Sequence, residues 1–158
     1  MKENKNMVYL FLVVCVLVVV GAVLLLSGGK PVDSEPITVR QAGGSAMLIA
    51  ECANRSYITN TAAYIIEGTV GNVETRWNDG NTSIVTYSSI AIDKYLKGTL
   101  PGNKILMETS GGCVGGVCQA MEDQPTFHEG KKVRIYLQET NGSFSIVCAQ
   151  FGVEEIKN

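Results

Sequence analysis

Apolar positions fall into different patterns along the chain, and each pattern predicts a different element. Residues 7–26 (MVYLFLVVCVLVVVGAVLLL) are apolar without interruption, with no charge and no Pro, Asn or Gln. At 1.5 Å rise per residue, a helix of that length covers about 30 Å, the hydrocarbon thickness of a bilayer. A cleaved signal peptide has a shorter apolar core and a small-x-small cleavage site. The following Leu25-Leu26-Ser27-Gly28-Gly29 fits that site poorly. The expectation is an uncleaved transmembrane signal anchor at 7–26 behind a cytoplasmic N-terminus, 1–6. Lys2 and Lys5 before the run, against Lys30 after it, supply the positive-inside bias that sets this direction. Residues 27–44 contain Gly, Pro and Ser in a mixed sequence and read as a linker.

From residue 45 onward the periods shorten. Met47, Leu48 and Cys52 stand at helical spacing and predict one short helix over 45–53. A strand is then predicted over 64–77, ending at Asn78-Asp79-Gly80, a hairpin signal. The returning run 83–95 alternates, with Ile84, Thr86, Ser88, Ile90 and Ile92 on one parity and Val85, Tyr87, Ser89 and Ala91 on the other. Further strands are predicted over 104–109, 117–121, 131–139 and 143–150, the last two joined by Asn141-Gly142. Five or six strands after one short helix predict an all-β domain over 45–158, a small barrel or sandwich.

Charge narrows the function. The chain is 18% charged, below the roughly 25% of ordinary domains, and the uncharged run 7–26 accounts for part of the difference. After Ser27 there are 11 basic and 14 acidic residues, a net of −3. Nucleic-acid binding is disfavoured, because neutralising phosphates needs a concentrated basic surface. A single histidine, His128, excludes multi-histidine metal sites. It stands next to Glu129 in a predicted turn, where adjacent side chains point apart, so no acid–base pair is expected. Glu122-Asp123 reads as a solvated corner. Gly111-Gly112 and Gly115-Gly116 lack the Lys-Ser/Thr of a phosphate loop. No cofactor or metal is expected. Arg76, Trp77, Tyr87 and Tyr95 are the candidates for an aromatic-basic binding face.

Cysteine usage indicates the compartment. Beyond Cys15 in the apolar run, four cysteines remain: Cys52, Cys113, Cys118 and Cys148. An even set beyond an N-terminal anchor fits an oxidising, extracytoplasmic location, as do the sequons at Asn54, Asn81 and Asn141. The expected setting is the cell membrane, crossed once, with the C-terminal domain outside the cytoplasm. Cys113 and Cys118 share one Gly-rich loop, so closing them costs little chain entropy, and a structural staple is favoured over a redox or zinc pair. Cys52 lies before the first predicted β-strand and Cys148 in the last, which a small barrel brings together. The expected bridges are therefore Cys113–Cys118 and Cys52–Cys148.

The order of landmarks resembles a family. Tyr64-Ile65-Ile66-Glu67-Gly68-Thr69-Val70 is followed by Arg76-Trp77-Asn78 and Tyr95-Leu96-Lys97-Gly98. Then come Gly111-Gly112-Cys113-Val114-Gly115-Gly116-Val117 and Pro125-Thr126-Phe127-His128-Glu129-Gly130, ahead of 133–137. This resembles an uncharacterised family of extracytoplasmic prokaryotic domains with G-G-x-x-G-G and F-x-x-G-E elements. It is more distantly similar to netrin-like and tissue-inhibitor-of-metalloproteinases domains. The resemblance implies an OB-like five- to six-stranded barrel and says little about function. The family's Gly-Glu corner is Gly130-Lys131 here, and the inhibitors' exposed N-terminal Cys-x-Cys is missing. The reading is a membrane-anchored binding or envelope-interaction module without catalysis, whose partner is a protein or a glycan. The alternatives are a membrane-tethered thiol-disulfide enzyme using Cys113 and Cys118, and a protease-inhibitor-like domain.

Overall fold

The computed structural model describes residues 35–41 and 50–157. The expected anchor at 7–26 lies outside them, as do 1–6 and most of the expected linker. Among the described residues no helix is long and apolar enough to cross a membrane.

The chain forms β1 (Ile37–Gln41), a 3-10 turn (Ala50–Ala53), α1 (Arg55–Thr61), β2 (Tyr64–Trp77), β3 (Ile84–Lys97) and β4 (Lys104–Ser110). A small hairpin of β5 (Gly112–Val114) and β6 (Val117–Gln119) follows. Then come β7 (Lys132–Thr140), β8 (Ser143–Ile146), a second 3-10 turn (Ala149–Gly152) and β9 (Val153–Ile156). The strand order β2-β3-β4-β1-β8-β7, with β7 pairing back onto β2, closes a six-stranded barrel. β9 adds to the stretch of β7 that β8 leaves unpaired.

Alternation produces this barrel. Ile66, Val70, Ile90, Ile105, Met107, Ile135 and Leu137 all point inward and are almost fully buried, each contributing about 1.5–3 kcal/mol by leaving water. β2 has to serve two neighbours, β3 along its length and β7 over Tyr64–Thr69. A bulge between Val70 and Val73 bends it out of the β7 pairing, and Glu129 Oε1 there accepts a hydrogen bond from Val73 N at 2.9 Å. The Asn141-Gly142 turn has φ of 52° and 75°, and Thr140 pairs with Ser143, as a type I′ hairpin requires.

Three expectations need correction. Of the helix expected over 45–53, residues 45–49 lie outside the described ones; Ala50–Ala53 is a 3-10 turn, and an α-helix that was not expected begins at Arg55. Asn54 is its N-cap, extended at φ −98°, with Oδ1 accepting from Ser56 N at 2.9 Å. The stripe that seats the helix is Ile58 and Ala62, packed on Ile65, Tyr136 and Val147. Arg55 lies over the Tyr136 ring, 5.2 Å from its centroid, and pairs with Glu154, which Arg134 also reaches at 3.4 Å.

Ile37–Gln41, expected as linker, is a barrel strand. Val39 is fully buried, and β1 runs parallel to β4, a pairing that no local turn announces. Finally, 143–150 is not one strand. β8 ends at Ile146, Cys148 and Ala149 take left-handed conformations (φ 56° and 48°), and the chain turns back into β9, which was not expected.

Candidate functional site

One end of the barrel interior changes from aliphatic to hydroxylic. Going along β3, the inward positions run Ile90, Ser88, Thr86; along β4 they run Ile105, Met107, Thr109; along β2, Val70, Val73, Thr75. Register sets Thr75 opposite Thr86 and Thr86 opposite Thr109, so three threonines form a row across adjacent strands. Thr86 Oγ1 donates to Gly111 O at 2.7 Å, and Thr109 Oγ1 donates to Thr86 O at 3.4 Å. The 3.0 Å contact between Thr75 Oγ1 and Thr86 Oγ1 therefore has Thr75 as its donor, because the one hydroxyl proton of Thr86 is already used.

Above this row the chain folds back as a flap. Gly111 N donates to Ile84 O at 2.8 Å, and Gln119 Oε1 accepts from Ile84 N at 2.6 Å. These two bonds fix both ends of the β5–β6 hairpin to the rim. Gly112 has φ +128°, and a Cβ added to it would lie 2.5 Å from Thr75 Cγ2 and 2.7 Å from Thr86 Oγ1. The backbone can rest on the threonines only because no side chain intervenes. At the tip, Gly115 and Gly116 (φ 56° and 84°) turn the chain, and Cys113 pairs with Cys118 directly across the hairpin. The return segment then places Phe127 in the barrel core.

Between rim and flap lies a cavity of about 370 Å³. Thr75, Thr86 and Thr109 form its floor, with Gln119, Met121, Gln124 and Phe127 among its walls. Gln124 Oε1 is buried without a hydrogen-bond partner, and one layer deeper so is Ser88 Oγ. A second cavity of about 210 Å³ shares Gln124, Pro125 and Thr126 and is lined by His128, Lys131 and Glu155 on its far side. Lys131 Nζ donates to Glu155 at 2.8 Å, and this bond is the main cause holding the Glu155 carboxyl below its ordinary pKa.

The residues singled out from sequence are dispersed. Arg76 stacks over Tyr87 on the outer face of β2 and β3, 4.4 Å from the ring centroid. Trp77 takes the opposite parity of β2, at its end opposite Ile84. Tyr95 packs against the core at the far end of β3, donating to Gly102 O at 2.7 Å. The structure thus joins Arg76 and Tyr87, but not Trp77 or Tyr95, into one face. His128 is exposed, with its carbonyl accepting from Lys131 N, and Glu129 braces the β2 bulge. Asn54, Asn81 and Asn141 are exposed, the first as a helix cap and the other two at left-handed turns. Both expected bridges are present, Cys52–Cys148 and Cys113–Cys118. Among the described residues no group of three His, Cys, Asp or Glu is placed to hold a metal.

The threonine floor and the two glutamines went unremarked in the sequence. The available signal was the polar Thr86 and Ser88 on the buried parity of an otherwise aliphatic strand. No protein-family model matches the chain, and neither a curated protein nor a solved structure matches it.

Proposed function

We propose that the chain is a membrane-anchored, extracytoplasmic binding module built on an OB-like barrel, with its ligand site in the threonine-floored cavity under the disulfide-closed flap. The observation that carries this reading is the cavity itself. Its volume falls in the range of about 300–1,000 Å³ typical of ligand pockets, and hydroxyl and amide side chains converge there with apolar ones. Two disulfides support an oxidising compartment, and the apolar run at 7–26 supports the anchor.

The test is a small-fragment screen on isotope-labelled full chain in detergent micelles, spanning neutral, charged and apolar compounds. Amide shifts at Thr75, Thr86, Thr109 and Gly111 are expected. Shifts confined to the Arg76–Tyr87 face, or none at all, would overturn the site. Location is tested separately. Protease added to intact cells should remove the barrel, and digestion only after lysis would reverse the orientation.

A second reading, a thiol-disulfide enzyme, is favoured by one observation: Cys113 and Cys118 are both exposed on the flap. It requires a reduction potential well above roughly −300 mV, the region of structural bridges. Redox titration of the pair decides between the two.

A further inference from the structure

On the reading that this cavity binds a ligand, we infer that the ligand is a neutral glycosyl unit, whose hydroxyl groups donate to the fixed acceptors of the pocket and accept from its amide and hydroxyl donors. The direction of the hydrogen bonds leads there. Thr75 spends its only hydroxyl proton on Thr86, and Thr109 spends its own on the Thr86 carbonyl. Both oxygens keep only lone pairs for a visitor. Gln124, which lines the cavity, carries a buried Oε1 that no donor satisfies and that a small side-chain movement would offer to a hydroxyl. Donors stand beside these acceptors: the Nε2 of Gln119, whose Oε1 is held by Ile84 N, the Nε2 of Gln124, and the lining hydroxyls of Ser110 and Thr126.

An anion meets no cation here. None of the lining residues is Asp, Glu, Lys, Arg or His, so a charge of either sign would lose water without a counter-charge. A peptide brings as many carbonyls as amides and needs backbone partners. At this rim Gly111 N, Gly111 O and Ile84 N are already bonded within the chain. A sugar ring brings several hydroxyls, each able to donate, together with C–H faces that suit Met121 and Phe127.

The closing experiment uses the full chain in a detergent without a sugar headgroup and reads amide shifts at Thr75, Thr109 and Gln119. The neutral probes are glucose, N-acetylglucosamine, cellobiose, maltose and chitobiose. Glucuronic acid, glucosamine, cyclohexanol and an uncharged Gly-Ser-Thr peptide are the comparison set. At least one neutral saccharide should bind at the cavity, with the charged sugars at least tenfold weaker. Gln124→Leu should weaken that saccharide tenfold or more at an equal or higher Tm, and Thr109→Val provides a second, nearly isosteric variant with the same expected loss. Equal binding of the charged sugars overturns the inference, and so does saccharide binding that both variants leave unchanged. Binding of only the peptide or cyclohexanol at the cavity overturns the ligand class and leaves the pocket standing. No shift from any probe in either set overturns the inference, and the fragment screen then decides whether the pocket reading falls with it.

Discussion

Gly112 and Gly115 both have positive φ, yet they differ in what surrounds them. At Gly112 a methyl group would collide with Thr75 and Thr86, whereas at Gly115 nothing lies within 4 Å of the added carbon. Gly112→Ala is expected to cost about 2–4 kcal/mol, from backbone strain plus overpacking. Gly115→Ala should cost about 1 kcal/mol, from backbone conformation alone. Denaturant midpoints with unchanged m-values check the difference. Gln124 presents the reverse case. A buried acceptor left without a donor costs about 1–3 kcal/mol, so Gln124→Leu should keep or raise Tm, and thermal melts check it. A residue that burdens the fold and is relieved by removal is typical of a site kept for binding rather than for stability.

At the scale of elements, two exposed pairs hold strand ends and titrate in opposite directions. Lys131 holds Glu155, on β9, below the ordinary carboxylate pKa. The stability this adds is complete above the ordinary carboxylate value and disappears as pH falls through the lower folded value. Glu139 accepts the hydroxyl of Tyr64 at 2.9 Å, and this bond is the main cause raising the Tyr64 pKa. That contribution is present below the ordinary tyrosine value and is lost as pH rises through the raised one. Glu155→Gln should therefore flatten only the acid limb of a stability–pH curve, and Tyr64→Phe only the alkaline limb. Both effects should be small, because the groups are solvated. A variant that altered the opposite limb would contradict the assignment.

What the sequence made legible follows the same division between local and remote. β2, β3 and the Asn141-Gly142 hairpin were readable because their signals are alternation and turn residues within one stretch of chain. β1 and β9 were not. Val39 pairs with Met107 and Phe144, and Val153 pairs with Ile135, so each strand exists only because distant strands offer it an edge. The helix at Arg55–Thr61 was missed because Ile58 and Ala62 make too short an apolar stripe to stand out, whereas the capping Asn54 fixes where it starts. The site was half visible, since Thr86 and Ser88 marked a polar stretch of barrel wall. The flap that turns that stretch into a cavity depends on Gly112 meeting two threonines from other strands.

For the whole molecule, the bridges differ in reach. Cys52–Cys148 spans 96 residues and Cys113–Cys118 spans 5. In the chain-entropy model these restrict the unfolded state by about 4.7 and about 2 kcal/mol. Replacing both Cys52 and Cys148 with Ser should lower Tm by roughly 10 °C more than replacing Cys113 and Cys118. Differential scanning calorimetry of the two double variants reads this directly, and equal losses would refute it. The nesting of one bridge inside the other also affects the order of oxidation. During synthesis Cys52 encounters Cys113 long before Cys148 exists, and a consecutive pairing would trap the chain with its barrel open. Closure over 5 residues is far faster than closure over tens of residues, so the hairpin thiols consume each other and withdraw from the competition. The short bridge is then expected to act as a kinetic chaperone for the long one. Removing only Cys118 should leave Cys113 free to capture Cys52, and non-reducing peptide maps of that single variant should show more mispaired chain than the double variant does.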